Sequence, residues 1–307
     1  DAIPVFCDIE SRTFNIDPDQ IEKNISSSTK AIMAVDIFGH PADMNKLKKI
    51  AKKYKLKIIS DSAQAPGAFY TNKYAGTLAD VGGFSLNYHK HIHTGEGGVI
   101  VTNDDKIAEN LQLIRNHAES VVNGMEKKDI ANMVGYNFRM GEIECAIGMS
   151  QLNKLSSSVK RRQAIAKRLN KNLSKLDGLE VPYVQEKCTH AYYVYALKID
   201  PSIIKISRDI IHEALVAEGV PLGKHYGNLH LLPMFQKKIA YGSNGFPWNS
   251  EICKRKVDYS RGICPISEDY NDNKILLLGL CVNEYSNEDI DLIVKAFKKV
   301  WKNLVNL

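Results

Sequence analysis

Paired cysteines are missing from this sequence. Its six cysteines stand at positions 7, 145, 188, 253, 264 and 281, and no two are spaced as a CxxC motif. A zinc knuckle is therefore unsupported. Scattered single thiols fit buried side chains in a reducing compartment, so a cytoplasmic location is the expectation. No run of about 18 apolar residues occurs, so no helix is expected to cross a membrane. Neither repeats nor low-complexity segments occur. A basic tract is absent too. The net charge of +6 comes from 41 basic residues against 35 acidic ones spread along the chain. KKIAKKYKLK (48–57) reads as a solvated helix face. With no aromatic-basic module, nucleic acid is not an expected partner; the charge leaves a weak bias toward anionic small molecules. No signal-peptide pattern opens the chain. DAIPVFCDIE lacks a starting Met and runs almost at once into an apolar, strand-like piece. A processed end and a piece of a longer protein are both open readings.

What is there is a soluble globular composition: 307 residues, 44% hydrophobic and 25% charged. That length allows one large or two ordinary domains with a substantial core. The first half alternates strand and helix. AIMAVDIF (31–38), LKIISD (56–61), VGGFSL (81–86) and GVIVTN (98–103) read as strands. PADMNKLKKIAKKY (41–54) places Met44, Leu47, Ala51 and Tyr54 on one helical face. KIAENLQLIRNH (106–117) turns Ile107, Leu111 and Ile114 inward. The alternation predicts an α/β layer structure. A polar loop follows around 120–132. Residues 141–176 then read as one long helix, with Ile143, Ile147, Leu152, Leu155, Val159, Ile165, Leu169 and Leu173 near helical spacing. Strands at 190–199 and 276–283 and helices at 208–218 and 287–304 form an α+β remainder. The expected organisation is a large domain over 1–145, a connecting helix over 146–178 and a smaller C-terminal domain over 179–307.

FSLNYHKHIHTGEGG (84–98) concentrates the chemistry. Three readings compete. His89, His91 and His93 alternate, so on an extended strand they share one face and could bind zinc or copper. Against this, no cysteine is near, no carboxylate has ligand spacing, and Lys90 adds repulsion; the alternative is partly exposed loop histidines, above all His91 and His93. TGEGG lacks the Lys-Ser/Thr ending of a P-loop and reads as a tight turn into the next strand. The third reading is a lysine placed for covalent chemistry. Upstream, DSAQAPGA (61–68) sets Asp61 at the C-terminal end of a buried strand, where ligand sites of α/β sheets gather. Such an aspartate is either a turn residue or a partner for a cationic ligand nitrogen. A Schiff-base lysine with an aspartate on a pyridinium nitrogen is the protein's part in pyridoxal phosphate chemistry.

DSAQAPGA, FSLNYHKHIHTGEGG and VGYNFRMGEIECAIGMSQLNKL (134–155), in this order, resemble the DegT/DnrJ/EryC1/StrS family of sugar aminotransferases. The likeness runs from VFCDIESRTFNIDP to the last helix. It implies an aspartate aminotransferase-like, fold type I architecture: a large domain with a mixed, mostly parallel sheet and a smaller α+β domain. It implies pyridoxal 5′-phosphate as cofactor and no metal. By resemblance, Lys90 holds the cofactor as an internal aldimine and serves as acid and base. Asp61 pairs with the pyridine nitrogen, Gln64 packs near the ring hydroxyl, and Ser85 contacts the phosphate. Asn137 would reach the phosphate in a neighbouring subunit, making the active unit a homodimer with shared sites. Arg139, His225 and Tyr226 lie where the family handles substrate; for His225 and Tyr226, ordinary loop packing is the alternative. The implied reaction is ping-pong transfer of an amino group from glutamate or glutamine to a nucleotide-linked keto-deoxy sugar. Cyclitol acceptors are an alternative.

Two departures stand out. Asn87 replaces a histidine common in the family. The family's opening strands and helices, with a Ser-Gly-Thr phosphate-binding turn, have no counterpart before Asp61. The second departure leaves room for a catalytically incomplete fragment or a non-catalytic relative. A dehydratase of the same family is disfavoured by Lys90, because that subgroup carries histidine there.

Overall fold

The computed structural model describes residues 2–119, 130, 133–251, 253 and 255–307. Nearly all of the polar loop expected over 120–132 lies outside the described residues.

Its elements run α1 (Pro18–Ile21), β1 (Ala31–Val35), α2 (Met44–Tyr54), β2 (Lys57–Asp61), β3 (Phe69–Tyr70), β4 (Lys73–Tyr74), β5 (Val81–Ser85), β6 (Gly98–Val101) and α3 (Asp105–Arg115). They continue with α4 (Glu142–Leu152), α5 (Leu155–Leu173), β7 (Leu179–Glu180), β8 (Val194–Ile199), α6 (Arg208–Ala217), β9 (Leu222–Gly223), α7 (Pro233–Lys237), α8 (Pro265–Asp269), β10 (Ile275–Gly279) and α9 (Asn287–Lys302).

The first sheet has the order β1-β2-β5-β6. β1, β2 and β5 are parallel, and β6 returns antiparallel on β5. This is the mixed, mostly parallel sheet expected of the α/β half. Ile32, Ala34 and Ile58 face inward and meet Met44, Leu47, Ile50 and Ala51 of α2. The Asp43 carboxylate caps α2 by accepting from the Lys46 N–H, and Lys55 closes it in the left-handed region. The second sheet is antiparallel, in the order β7-β8-β10-β9. Tyr195, Leu197, Leu276 and Leu278 from its strands pack with Leu169 and Leu173 of α5, Ile211 and Leu215 of α6, and Phe297 of α9. α9 starts in a capping box between Ser286 and Asp289, an arrangement worth about 1 kcal/mol. A third apolar cluster, with Phe38, Tyr193, Val194 and Tyr270, joins the end of β1 to β8.

Three expectations need correction. The helix over 141–176 is two helices. At the break the Lys154 N–H reaches back only to the Gln151 carbonyl, a three-residue step that tightens the turn and ends α4. α4 buries none of its residues: Ile143 is 74% exposed, Ile147 42% and Leu152 61%. In α3 the fully buried side chain is Leu113, while Ile107, Leu111 and Ile114 are only half-buried. The apolar stripe is wide, and α3 meets the body along its edge.

Candidate active site

Asp61 ends β2 at the carboxyl edge of the parallel strands. Register pairs it with Val35 of β1, so the next residue, Asp36, lies beside it, its N–H donating to the Asp61 carbonyl at 2.9 Å. The two carboxylates differ sharply. Asp36 is 1% exposed and accepts from Ser62 Oγ (2.5 Å), Ser60 Oγ (3.1 Å) and the Ala42 N–H (2.8 Å). Burial pushes its pKa up to about 6 against the pull of those hydrogen bonds, and the Asp61 charge adds to the rise. Asp61 is half-buried. Its Oδ1 accepts from the Ala63 N–H at 3.1 Å, and Oδ2 has no hydrogen-bond partner among the described residues.

Gln64 is buried and spends both ends of its amide. Oε1 accepts from the Phe38 N–H at 2.7 Å, and Nε2 donates to the Tyr226 hydroxyl at 2.5 Å. Phe38 sits at φ 58°, unusual for a side-chain-bearing residue, and its ring meets the Tyr226 ring edge-on at 5.4 Å. Tyr226 is thus carried from the C-terminal half onto a residue of the first sheet's edge. Burial raises its hydroxyl's pKa, Gln64 opposes this, and the Asp61 charge reinforces it.

Ser85 ends β5, and its Oγ accepts from the Asn87 N–H at 3.2 Å. The chain then turns. The Lys90 N–H donates to the Asn87 carbonyl at 3.0 Å, and the Asn87 side chain donates to Glu96 at 2.5 Å. The single glutamate of TGEGG is therefore a strut of the turn into β6. The segment 87–93 is turn and not strand, so the three histidines share no face. His93 is exposed, whereas His91 is 6% exposed, which corrects the loop reading for His91. His91 Nε2 donates to the Ala191 carbonyl at 2.9 Å. Among the described residues no group of three or more His, Cys, Asp or Glu is placed to hold a metal ion.

Lys90 is half-buried. Its Nζ stands 4.5 Å from the centre of the Tyr193 ring. Burial lowers its pKa, while the charges of Asp61 and Cys281 oppose that fall. A partly desolvated amine beside a carboxylate is poised to lose and regain a proton.

The structure thus gathers Asp61, Gln64, Lys90 and Tyr226, with Ser85 at the base of the same turn. It does not bring in Asn137, Arg139 or His225. Asn137 is exposed and bridges Asn116 at the end of α3, and Arg139 donates to the Asn116 side chain. His225 lines a separate cleft with Arg208, Lys224, Asn228 and Asp272. Tyr193, Asp36 and Phe38 went unnoticed in the sequence. An aspartate directly after β1, echoing Asp61 at the end of β2, was a usable signal. Tyr193 in HAYYVY offered none beyond an apolar strand pattern.

Comparison with known proteins bears on this geometry. A sequence model described as the DegT/DnrJ/EryC1/StrS aminotransferase family matches residues 1–266. An uncharacterised protein of Methanocaldococcus jannaschii is 36% identical over 263 residues, 83% of this chain and 68% of its own length. A GDP-perosamine synthase of Caulobacter vibrioides is 32% identical over 237 residues, 76% of this chain and 62% of its own. The crystal structure of an aminotransferase from Psychrobacter cryohalolentis superposes with a TM-score of 0.82 at 26% identity, over 99% of this chain and 77% of that one.

Proposed function

This chain belongs to the DegT/DnrJ/EryC1/StrS aminotransferase family, and from that premise we propose that it moves an amino group from glutamate or glutamine to a nucleotide-linked keto-deoxy sugar. The family's enzymes depend on pyridoxal 5′-phosphate. The residues present fit that group. Asp61 offers a carboxylate oxygen without a partner among the described residues, and Ser85 keeps a hydroxyl hydrogen to give. Space is available at the sheet edge, since a Cβ built on Gly83 would meet nothing within 4 Å.

Bound pyridoxal phosphate supplies an aldehyde for an amine and a ring that accepts electrons. In our reading, Asp61 holds a proton on the ring nitrogen by charge. Lys90 is the covalent anchor in the resting enzyme. As a free amine, its Nζ would take a proton from the donor's α-carbon and return one later in the transfer. That duty requires a neutral amine near pH 7, and burial of Lys90 works in that direction. Gln64 and the Tyr226 hydroxyl stand where they can orient polar groups. Because the donor's keto acid would leave before the sugar binds to the same site, the two half-reactions would be ping-pong.

Asn137 and Arg139 enter this reading through a second copy. They lie in a stretch with Tyr136 at 52%, Phe138 at 67%, Ile143 at 74% and Met149 at 73% exposure. An apolar face of that kind favours a homodimer in which the partner lends these polar groups. A nucleotide sugar as acceptor is supported by the likeness to a GDP-perosamine synthase.

The observation that carries the reading is Lys90 beside Asp61 at the carboxyl edge of the sheet. The test is visible absorption of the protein with pyridoxal phosphate, before and after borohydride, beside Lys90→Ala. A band fixed on Lys90, absent in the variant and bleached by glutamate or GDP-perosamine, is the expected result. A band that persists in Lys90→Ala would overturn the assignment of the anchor. A band that no aminated nucleotide sugar bleaches would overturn the acceptor class.

A further inference from the structure

Tyr193 meets the Lys90 amine face-on, and the backbone fixes that meeting from both sides. On one side, His91, the residue after Lys90, donates to the Ala191 carbonyl, two residues before Tyr193. On the other, the Ala191 N–H donates to the Gly39 carbonyl at 2.8 Å, and the Leu280 N–H donates to the Tyr193 carbonyl at 3.2 Å. Gly39 is at φ 105°, and a Cβ there would come within 2.8 Å of the Tyr192 nitrogen and 3.1 Å of the Tyr193 nitrogen. Only glycine lets the chain after β1 close on the Tyr192–Tyr193 peptide. Tyr192 lies in the left-handed region at φ 55° and stacks on His190 at 4.0 Å. This places successive rings on different duties: Tyr192 against His190, Tyr193 toward Lys90. The Tyr193 ring is 8% exposed and packs with Phe38 and Val194.

We propose that the Tyr193 ring is the platform on which the Lys90 ammonium rests whenever the amine is free of covalent engagement, which makes Tyr193 a positioning residue for Lys90. This rests on the reading of Lys90 as the anchor. The ring face attracts a cation and has no comparable hold on a neutral amine. It therefore acts selectively on the protonated lysine, giving it a fixed place near the sheet edge from which to return its proton. Burial favours the neutral amine and the ring favours the charged one. The charges of Asp61 and Cys281 also favour the ammonium, and the balance of all four sets the proton affinity that the base needs.

The experiment follows the pH dependence of Lys90 acetylation by trace acetic anhydride in cofactor-free protein, read by peptide mass spectrometry. The parent is compared with Tyr193→Phe, Tyr193→Leu and a variant carrying trifluorinated phenylalanine at 193. The fluorinated ring keeps the shape but loses the electron-rich face, so a purely structural role would not register it, and it keeps the test decisive if the leucine variant does not fold. Phenylalanine should retain the parent midpoint, and the fluorinated ring should lower it by about half to one and a half pH units. A fluorinated variant with the parent midpoint would overturn the inference alone. A Lys90→Ala protein that still fixes pyridoxal phosphate would remove the anchor reading, and the inference with it.

Discussion

Lowering the pH from 7 to 5 should set three buried histidines against the fold. His40, His91 and His190 are 1%, 6% and 5% exposed and meet where the loops after β1 and β5 join the lead-in to β8. Each is committed to its neutral form. His40 Nδ1 donates to the Pro41 carbonyl at 2.8 Å while Nε2 accepts from the Gln185 N–H at 3.0 Å. His190 Nδ1 accepts from the Tyr192 N–H at 2.8 Å, and His91 Nδ1 has no partner among the described residues. A second proton would face a donor or empty apolar space. Burial therefore pushes His40 down to about 4 and His91 to about 3, and it holds His190 well below its ordinary value. The Pro41 carbonyl and Glu10 pull His40 back toward the charged form, whereas Arg162 and Lys90 push His91 further down.

The sign follows from proton counts. Below about 6.5 the unfolded histidines bind protons that the folded ones refuse, so stability is lost as pH falls toward the folded values. Between pH 7 and 5, His40 and His91 each account for about 2 kcal/mol of that loss. Asp36 works the other way. Its folded value of about 6 exceeds the ordinary 3.8, so it protonates in the fold first and returns about 1 kcal/mol. The net loss is about 3 kcal/mol, and His190 adds to it in the same direction. Carboxylates held below their ordinary values titrate beneath this window. Urea unfolding at constant ionic strength, followed by circular dichroism at both pH values, measures the loss. His91→Gln keeps a donor for the Ala191 carbonyl and should remove about 2 kcal/mol of the pH dependence. Equal stability at pH 5 and 7, or an unchanged slope in His91→Gln, would refute the reasoning.

Gly39→Ala should cost about 2 kcal/mol or more in urea unfolding, because it combines a left-handed φ with contact on backbone nitrogens that cannot swing aside. Gln64→Leu leaves the Phe38 N–H without its acceptor and should lose about 1–3 kcal/mol, with Tyr226 released to a more exposed position readable by fluorescence quenching. Asp61→Asn retains the shape but removes the charge, and amino transfer should fall by about 100-fold or more while the fold's melting temperature stays close to the parent's.

The alternation of strands and helices was legible because each buried strand is an apolar run and each helix of the first half carries its own stripe. Asp61 and Lys90 stood out as candidates because one ends a strand and the other lies in a motif that resembles the family's, and the structure places them near one another. Other features were decided by partners distant in sequence. His91 looked like one of three alternating loop residues, yet the Ala191 carbonyl draws it inside. Ile143, Ile147 and Leu152 have helical spacing, yet none of them is buried by the described residues. Periodicity reports that a face is apolar, not what covers it. Tyr193 resembles its neighbours in HAYYVY, and the contacts that set its ring over Lys90 come from Gly39, His91 and Leu280, all distant in sequence.

The bond between Gln64 and Tyr226 spans 162 residues of chain, and that between His91 and Ala191 spans 100. The cost of closing loops of that size falls before any reward is collected. The lysine and aspartate can be in place on the first sheet's edge while the aromatic groups that finish their surroundings are still unattached. The candidate site is therefore complete only once contacts far apart in the sequence have closed. A ligand that touched residues from both ends of these contacts would stabilise only the state in which they have met.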